Sequence, residues 1–556
     1  MEAIPERITY FVEKMKTLME PEAVRYVGFV QGERELLFQE AVKLEEIFVP
    51  QSGGWKEVLA GDGEGGEKGA SISVATPFNE LGYSANMWEE EQKATKRVFS
   101  TFSKAMRGRV MYVIPYALGV SGSVEKPVLQ ITDSPFVALC VMTLARTGKE
   151  ILSLFENDFY IKSLHCKGSL SVGKKKQESY LVSFLQKKEI WAFGREVTID
   201  QIRKEIVHRL LSSTAHEEGW VATHMPIFSL TNPEGKTRYG LLLLPPSLSI
   251  IQLFQRETIP GWSLQLVSSD SSWIYCKDGS LMALNPEIGF FGALLGPLSS
   301  SLRKELFAQA LFSGVSFTEE KDLWWEGKES VRPWKLFDGK GKEWSKKGQK
   351  SFFVLSYRKS SVLNSESLRQ IPVSMIVVCS LKKNIYPLVR ELNSWTEGVL
   401  MASLLPSENE KQSLASFDPF AMRDFCGVNL GVYLKTWIDL RDNITSKNKC
   451  RFFTVNLASQ GSLKEDQQLP SLPMMKWCFE RCEERVEAQK TSFGFLPNDT
   501  DIDLPSIAPS CSYEELFSID KPLWQKELLD LKVFLKKWND QVPLELAEQI
   551  LFSGSS

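Results

Sequence analysis

Apolar residues recur at helical spacing where the chain opens: Ile8, Phe11, Val12 and Met15, then a second stripe from Leu36 to Ile47. From Met111 the pattern turns to short apolar runs alternating with amphipathic ones. Met111-Tyr112-Val113-Ile114-Pro115, Ile190 to Phe193 and Tyr239 to Leu244 predict buried strands, and Ile371 to Ser380 predicts a central one. Phe136 to Thr147 predicts a helix, with Asp133 or Ser134 as cap and Pro135 in its first turn. Asn429 to Leu440 and Lys521 to Trp538 predict amphipathic helices, the second opened by Asp520 and Pro522. The polar run Lys328 to Gln349 predicts a surface excursion. The mixture predicts an α/β or α+β protein without internal repeats.

The 556 residues suit two to four domains or one large two-lobed fold. With 66 Lys+Arg against 69 Asp+Glu, no global charge draws the chain to nucleic acid or an anionic membrane. Nine scattered cysteines form no CxxC pair, which excludes a disulfide scaffold and a Cys-rich zinc module. The N-terminus shows no signal-peptide pattern and no apolar run is long enough to span a bilayer, so a cytoplasmic location is expected. Histidine occurs four times, at His165, His208, His216 and His224, which confines histidine chemistry to one region.

Two glycine motifs are rejected. Gly61-Asp62-Gly63-Glu64-Gly65-Gly66 has the spacing of a dinucleotide loop, but no strand is predicted before it and its acids would repel phosphate. Gly235-Lys236-Thr237 lacks the earlier glycine of a phosphate loop, since Leu230 stands there; Asn232-Pro233-Glu234-Gly235 predicts a hairpin turn.

Several strings, in order along most of the chain, resemble one family. They are Gly108-Arg109-Val110-Met111-Tyr112-Val113-Ile114-Pro115 with Thr132-Asp133-Ser134-Pro135, and Glu217-Glu218-Gly219-Trp220 through His224-Met225 to the Asn232 turn. Asn285-Pro286-Glu287-Ile288-Gly289-Phe290-Phe291-Gly292, Trp325-Glu326-Gly327, Trp395 with Gly398-Val399, and Asp418-Pro419-Phe420-Ala421-Met422-Arg423 follow. The set resembles the GTP-dependent phosphoenolpyruvate carboxykinases. That resemblance implies an α/β, two-lobed carboxykinase-like fold of mixed sheets with flanking helices. It implies a substrate-type lobe over 1–225 and a mononucleotide-type lobe over 226–556. The family interconverts oxaloacetate and phosphoenolpyruvate, a step of gluconeogenesis, with GTP and a divalent metal, usually manganese.

Aligned residue by residue, the nucleotide chemistry is missing. Where the family's kinase loop reads Pro-Ser-Ala-Cys-Gly-Lys-Thr, this chain has Pro245-Pro246-Ser247-Leu248-Ser249-Ile250-Ile251. The Cys becomes Leu248, the Gly Ser249, the Lys Ile250 and the Thr Ile251. Isoleucine neither charges a phosphate nor binds a metal, and Pro246 removes a backbone N–H. No shift of alignment helps, because no Lys lies between Lys236 and Lys277. Three or four charge-assisted contacts at about 1.5–3 kcal/mol each sum to roughly 5–12 kcal/mol, comparable to the ~8 kcal/mol of a micromolar complex. In the family's guanine pocket, Trp and Phe become Leu457 and Ala458, and 459–473 has no aromatic residue. Leu381 and Lys382 stand for an arginine pair, and Pro406-Ser407-Glu408-Asn409 replaces the centre of the mobile lid.

On the substrate side, no Arg lies between Arg34 and Arg97 to supply the early carboxylate clamp, and Arg195-Glu196-Val197 replaces a glycine-rich string. The resemblance carries a second substrate arginine to Arg358. It carries the metal ligands to Lys204, His224 and Asp270, an amine, an imidazole and a carboxylate suited to Mn²⁺. The expectation is therefore a pseudoenzyme that does not take GTP, kept as a binding or regulatory scaffold for a protein partner or a small dicarboxylic or 2-oxo acid. The alternative is a residual enzyme, either GTP-dependent or a metal-dependent oxaloacetate decarboxylase without nucleotide.

Overall fold

The computed structural model describes residues 4–19, 23–29, 33–44, 47–48, 59–61, 70–74, 104, 106–156, 160–167, 180–184, 188–193, 199–204, 206, 210–244, 259–298, 300–329, 331–337, 343, 351–356, 369–380, 385–403, 428, 430–445, 449–457, 471–507 and 511–537. The expectations on 245–251, Arg358, 381–382, 406–423 and Ala458 fall outside these residues. The chain forms two compact units, Met1–Ser213 with Pro286–Ser361, and Thr214–Asn285 with Val362–Ser556. The chain crosses between these units three times, at 213/214, 285/286 and 361/362. Sheet pairing explains why. Gly289–Leu294 pairs with Ser351–Ser356, which pairs with Leu311–Ser313, which pairs with Leu59–Gly61. That last pairing also corrects the reading of the first glycine motif: Gly61 ends a short strand, and the next described element is again a strand, Ala70–Val74.

The first unit is built on a seven-stranded sheet whose centre is β1 (Val110–Gly119), β2 (Glu125–Thr132), β3 (Ile161–Cys166) and β4 (Glu189–Phe193). Strand alternation splits each run between two faces. One face carries Met111, Val113, Leu129, Ile131, Leu164, Trp191 and Phe193, packed on Ile8, Val12 and Met15 of helix α1 (Glu6–Met19). The opposite face carries Tyr112, Gln130, Thr132, Ser163 and His165, placed side by side by the β1–β2 and β2–β3 registers. Helix α2 spans Glu33–Lys43 and packs on α3 (Pro135–Leu144). Ser134, not Asp133, caps α3, its hydroxyl accepting from the Val137 amide at 3.2 Å with Pro135 in the first turn. Asp133 instead accepts from Arg109 and the Lys167 amide, both at 2.7 Å. α3 is buried nearly all round, as its continuous apolar sequence requires.

A short helix, α4 (Ile199–Lys204), lies in the same unit. Its Arg203 makes a two-pronged pair with Glu287, Nε to Oε1 at 2.6 Å and Nη2 to Oε2 at 2.5 Å, and both side chains are buried. The guanidinium also lies over the Phe291 ring, 4.7 Å from its centroid.

The second unit is built from β5 (Trp220–Thr223), β6 (Ile227–Thr231), β7 (Thr237–Leu243), β8 (Ser263–Leu266), β9 (Ser272–Lys277), β10 (Ile371–Ser380), β11 (Val389–Glu391) and β12 (Arg451–Asn456). The predicted central strand, β10, runs parallel to β7 on one side and to β12 on the other. Its near-continuous apolar sequence fits a strand covered on both faces. Helices α5 (Trp395–Ser403) and α6 (Leu430–Asp442) contribute to its core, and α7 (Leu472–Cys482) packs on β10 and β12. The predicted hairpin joins β6 to β7: Gly235 takes φ +80°, and Asn232 Oδ1 accepts from the Glu234 and Lys236 amides at 3.1 and 2.8 Å. The last described helix, α8, spans Lys521–Lys537, with Asp520 accepting from the Leu523 amide at 3.1 Å. Among the described residues no helix is long and apolar enough to cross a membrane.

Candidate functional site

Because β7, β10 and β12 are parallel neighbours, their C-terminal ends share one edge of the second unit. Leu243 pairs with Val378, and Ser380 pairs with Asn456. In open α/β sheets ligands bind outside that edge. Residues 245–251 follow β7, 381–382 follow β10, and Leu457-Ala458 follow β12. The three segments whose sequence departs from the carboxykinase pattern thus follow three adjacent parallel strands along the chain.

His224 and Asp270 reach the same edge. β5 and β9 are antiparallel and end with Thr223 opposite Ser272, so His224 leaves the ladder where Asp270 approaches it. Trp220 and Trp273 anchor the pair, fully buried with ring centroids 4.9 Å apart, a contact of the kind worth about 0.5–1.5 kcal/mol beyond area burial. Thr223 and Ser272 hydroxyls meet at 2.9 Å. Two further ties fix the peptide after His224. The Leu242 amide donates to Pro226 O at 3.0 Å. The Ile227 amide donates to Ser268 Oγ at 2.7 Å, while Val267 and Ser268 amides donate back to Ile227 O. Asp270 is partly buried, and the neighbouring Ser269 hydroxyl donates to its Oδ1 at 3.3 Å.

Lys204 belongs to the first unit. Its Nζ donates to Asp200 Oδ2 at 2.8 Å one helical turn away, and Asp200 is buried. Of the expected metal set, the structure places His224 and Asp270 in the two chain segments that flank one ladder end and gives the Lys204 amine an intrahelical carboxylate. An imidazole and a carboxylate suit a divalent ion; an amine must give up its proton to join such a set. Among the described residues no group of three or more His, Cys, Asp or Glu is arranged to hold a metal.

Two residues went unnoticed in the sequence. Asp200 carried a signal, the i,i+4 spacing to Lys204. Arg390 follows the Pro387-Leu388-Val389 string and carried none. It is 1% exposed, donates from Nε to Thr454 Oγ1 at 3.0 Å, and lies over Tyr386 and Trp524 at 5.5 and 5.6 Å. Asn456, at the end of β12, donates from Nδ2 to Tyr386 O at 2.6 Å, and Leu457 is buried beside it in sequence. Leu457 is thus a packing residue.

Comparison with known proteins bears on this edge. Residues 220–552 match the family model described as the phosphoenolpyruvate carboxykinase C-terminal P-loop domain, and 10–198 match the phosphoenolpyruvate carboxykinase N-terminal domain. A phosphoenolpyruvate carboxykinase (GTP) of Anaeromyxobacter sp. strain K is 28% identical over 575 residues, covering 97% of this chain and 95% of the relative. The protein of the same name from Chlamydia abortus is 29% identical over 499 residues, covering 84% of this chain and 83% of the relative.

Proposed function

The chain belongs to the GTP-type phosphoenolpyruvate carboxykinase family, and on that premise we propose that it is a pseudoenzyme, a carboxykinase scaffold kept for binding or regulation. The observation that carries this reading is the pair Ile250-Ile251, in the segment that leaves β7 at the C-terminal edge. Phosphoryl transfer depends on positioning and on charge stabilisation of the phosphates. With Ile250 at the lysine position and Ile251 at the threonine position, the segment lacks the ammonium and the metal-binding hydroxyl at the places such a site uses them; the Ser249 hydroxyl stands at the glycine position. These residues do not fit GTP. Fold alone does not restore the activity.

The ligands proposed around this scaffold are a protein partner or a small dicarboxylic or 2-oxo acid, with Arg358 as the proposed carboxylate grip and the cytoplasm as its location. Lys204, His224 and Asp270 enter as proposed ligands of Mn²⁺. The test is GTP-dependent formation of phosphoenolpyruvate from oxaloacetate by the purified protein. None is expected; turnover at ordinary rates, ~1–100 s⁻¹, would overturn the reading.

A second reading draws on the segments that hold His224 and Asp270 flanking one ladder end. A divalent ion held there would polarise the carbonyl of a 2-oxo acid. Residual decarboxylation of oxaloacetate to pyruvate and CO₂ needs no nucleotide. Manganese-dependent decarboxylation above that of free Mn²⁺, lost in His224→Ala and Asp270→Ala, would support it. Equal rates in all samples leave the scaffold alone.

A further inference from the structure

In the first unit, the stretch that follows Trp325 is held at both ends and exposed between them. At one end Trp324 and Trp325 are buried, and Trp325 Nε1 donates to Gly296 O at 2.9 Å. The Lys328 amide donates to Trp325 O at 3.1 Å, and its Nζ donates to Leu323 O at 2.7 Å. At the other end Leu336 is buried, and Phe337 exchanges two backbone hydrogen bonds with Phe317, each 2.8 Å. Between these anchors Val331 is 75% exposed, Trp334 is 96% exposed and Lys335 faces solvent. Val331 and Trp334 are the two most exposed large apolar side chains among the described residues, and they lie three positions apart.

An indole left in water adds no burial to the fold, whereas Trp is enriched at the energetic centres of interfaces. Anchoring on both sides fixes the backbone that carries it, so little freedom is lost on docking. Charge decides the partner. The run 328–350 carries eight Lys and Arg against three Asp and Glu, in a chain whose totals are 66 and 69. Arg332, beside Val331, is paired with Glu326 at 2.8 Å, which leaves Lys335 as the exposed cation next to the indole. Single-stranded nucleic acid is held on successive aromatic rings, and here one indole stands with an aliphatic valine. Two apolar side chains are also too few to sink into a bilayer. We propose that Val331, Trp334 and Lys335 form a docking surface for an acidic protein segment that carries an apolar residue. Val331 and the indole cover the apolar side chain, and the basic run draws the carboxylates. The surface rests on the scaffold reading for its role; its binding is measured without nucleotide or turnover, so either can fail without the other.

Fluorescence anisotropy of the intact protein with a labelled synthetic peptide of Glu-Glu-Leu repeats, at low salt, tests this. Saturable binding is expected, weakened at least about tenfold by Trp334→Ala and by Lys335→Glu, and weakened as salt rises. A Lys-Lys-Leu peptide of the same length should not bind. Both side chains are exposed, so both variants should keep the urea midpoint of the wild type, which separates lost docking from lost folding. Equal affinity in wild type and both variants, or no binding of the acidic peptide, overturns the proposal. So does Trp334-dependent binding of single-stranded polyuridylate or of phosphatidylserine vesicles in preference to the peptide, which would assign the surface to nucleic acid or to a membrane.

Discussion

The amide of Leu242 donates to the carbonyl of Pro226 across 3.0 Å, tying the last turn of β7 to the peptide that follows His224. One hydrogen bond therefore joins the strand that leads into Ile250-Ile251 to the strand start next to a proposed metal ligand. The divergent loop and the inherited imidazole share a sheet edge, so each can be altered and read separately.

If His224 and Asp270 hold manganese, electron paramagnetic resonance titration with Mn²⁺ should show saturable binding that weakens at least about tenfold in His224→Ala and in Asp270→Ala, the range seen when ligand sets are disturbed. Identical titrations in wild type and both variants would remove the metal proposal.

The Arg203–Glu287 pair is buried on both sides. Glu287→Ala takes the carboxylate away from a buried guanidinium and should destabilise by about 3–5 kcal/mol, whereas Arg203→Met with Glu287→Leu should cost much less. Urea unfolding of the two variants checks this; equal losses would mean that charge burial is not the cause.

Burial pushes His165 down to about 4; the nearby Asp133 opposes this and Lys167 reinforces it. The unfolded chain, with an imidazole near 6.5, then binds more protons than the folded chain between these values. Stability from this group is fully present above pH 6.5 and is lost as pH falls toward 4, by roughly 3 kcal/mol in all. His165→Gln should flatten that part of the stability–pH curve. An unchanged slope would show that His165 is not the group responsible.

Much of this was legible in the sequence. The runs at 111–115, 190–193, 239–244 and 371–380 gave strands because their apolar residues sit on faces covered by helices. Pro135 and Gly235 marked a helix start and a turn, since each fixes or frees a backbone angle. The triple crossing between units was hidden, because the pairing of Leu311–Ser313 with Leu59–Gly61 joins residues 252 apart with no local signal. Matching strings point to Asp270 and His224, but that their segments flank one ladder end is a matter of register, which sequence does not display. The Asp200–Lys204 pairing was visible as spacing and was passed over.

Close packing between α5 and β12 depends on one missing side chain. A Cβ at Gly398 would come within 2.2 Å of the Phe452 ring. Gly398→Ala should therefore destabilise by about 1–3 kcal/mol, although alanine is the better helix former by roughly 1 kcal/mol. A urea midpoint at or above that of the wild type would mean that Phe452 yields without cost.

The pseudoenzyme proposal stands or falls on whether the protein takes nucleotide. Isothermal titration calorimetry of the intact protein with Mg²⁺-GTP and with Mn²⁺-GTP measures it most directly. No saturable heat is expected up to millimolar GTP. A dissociation constant near or below about 100 µM, on the order of 5.5 kcal/mol, would contradict it and return the protein to the working carboxykinases.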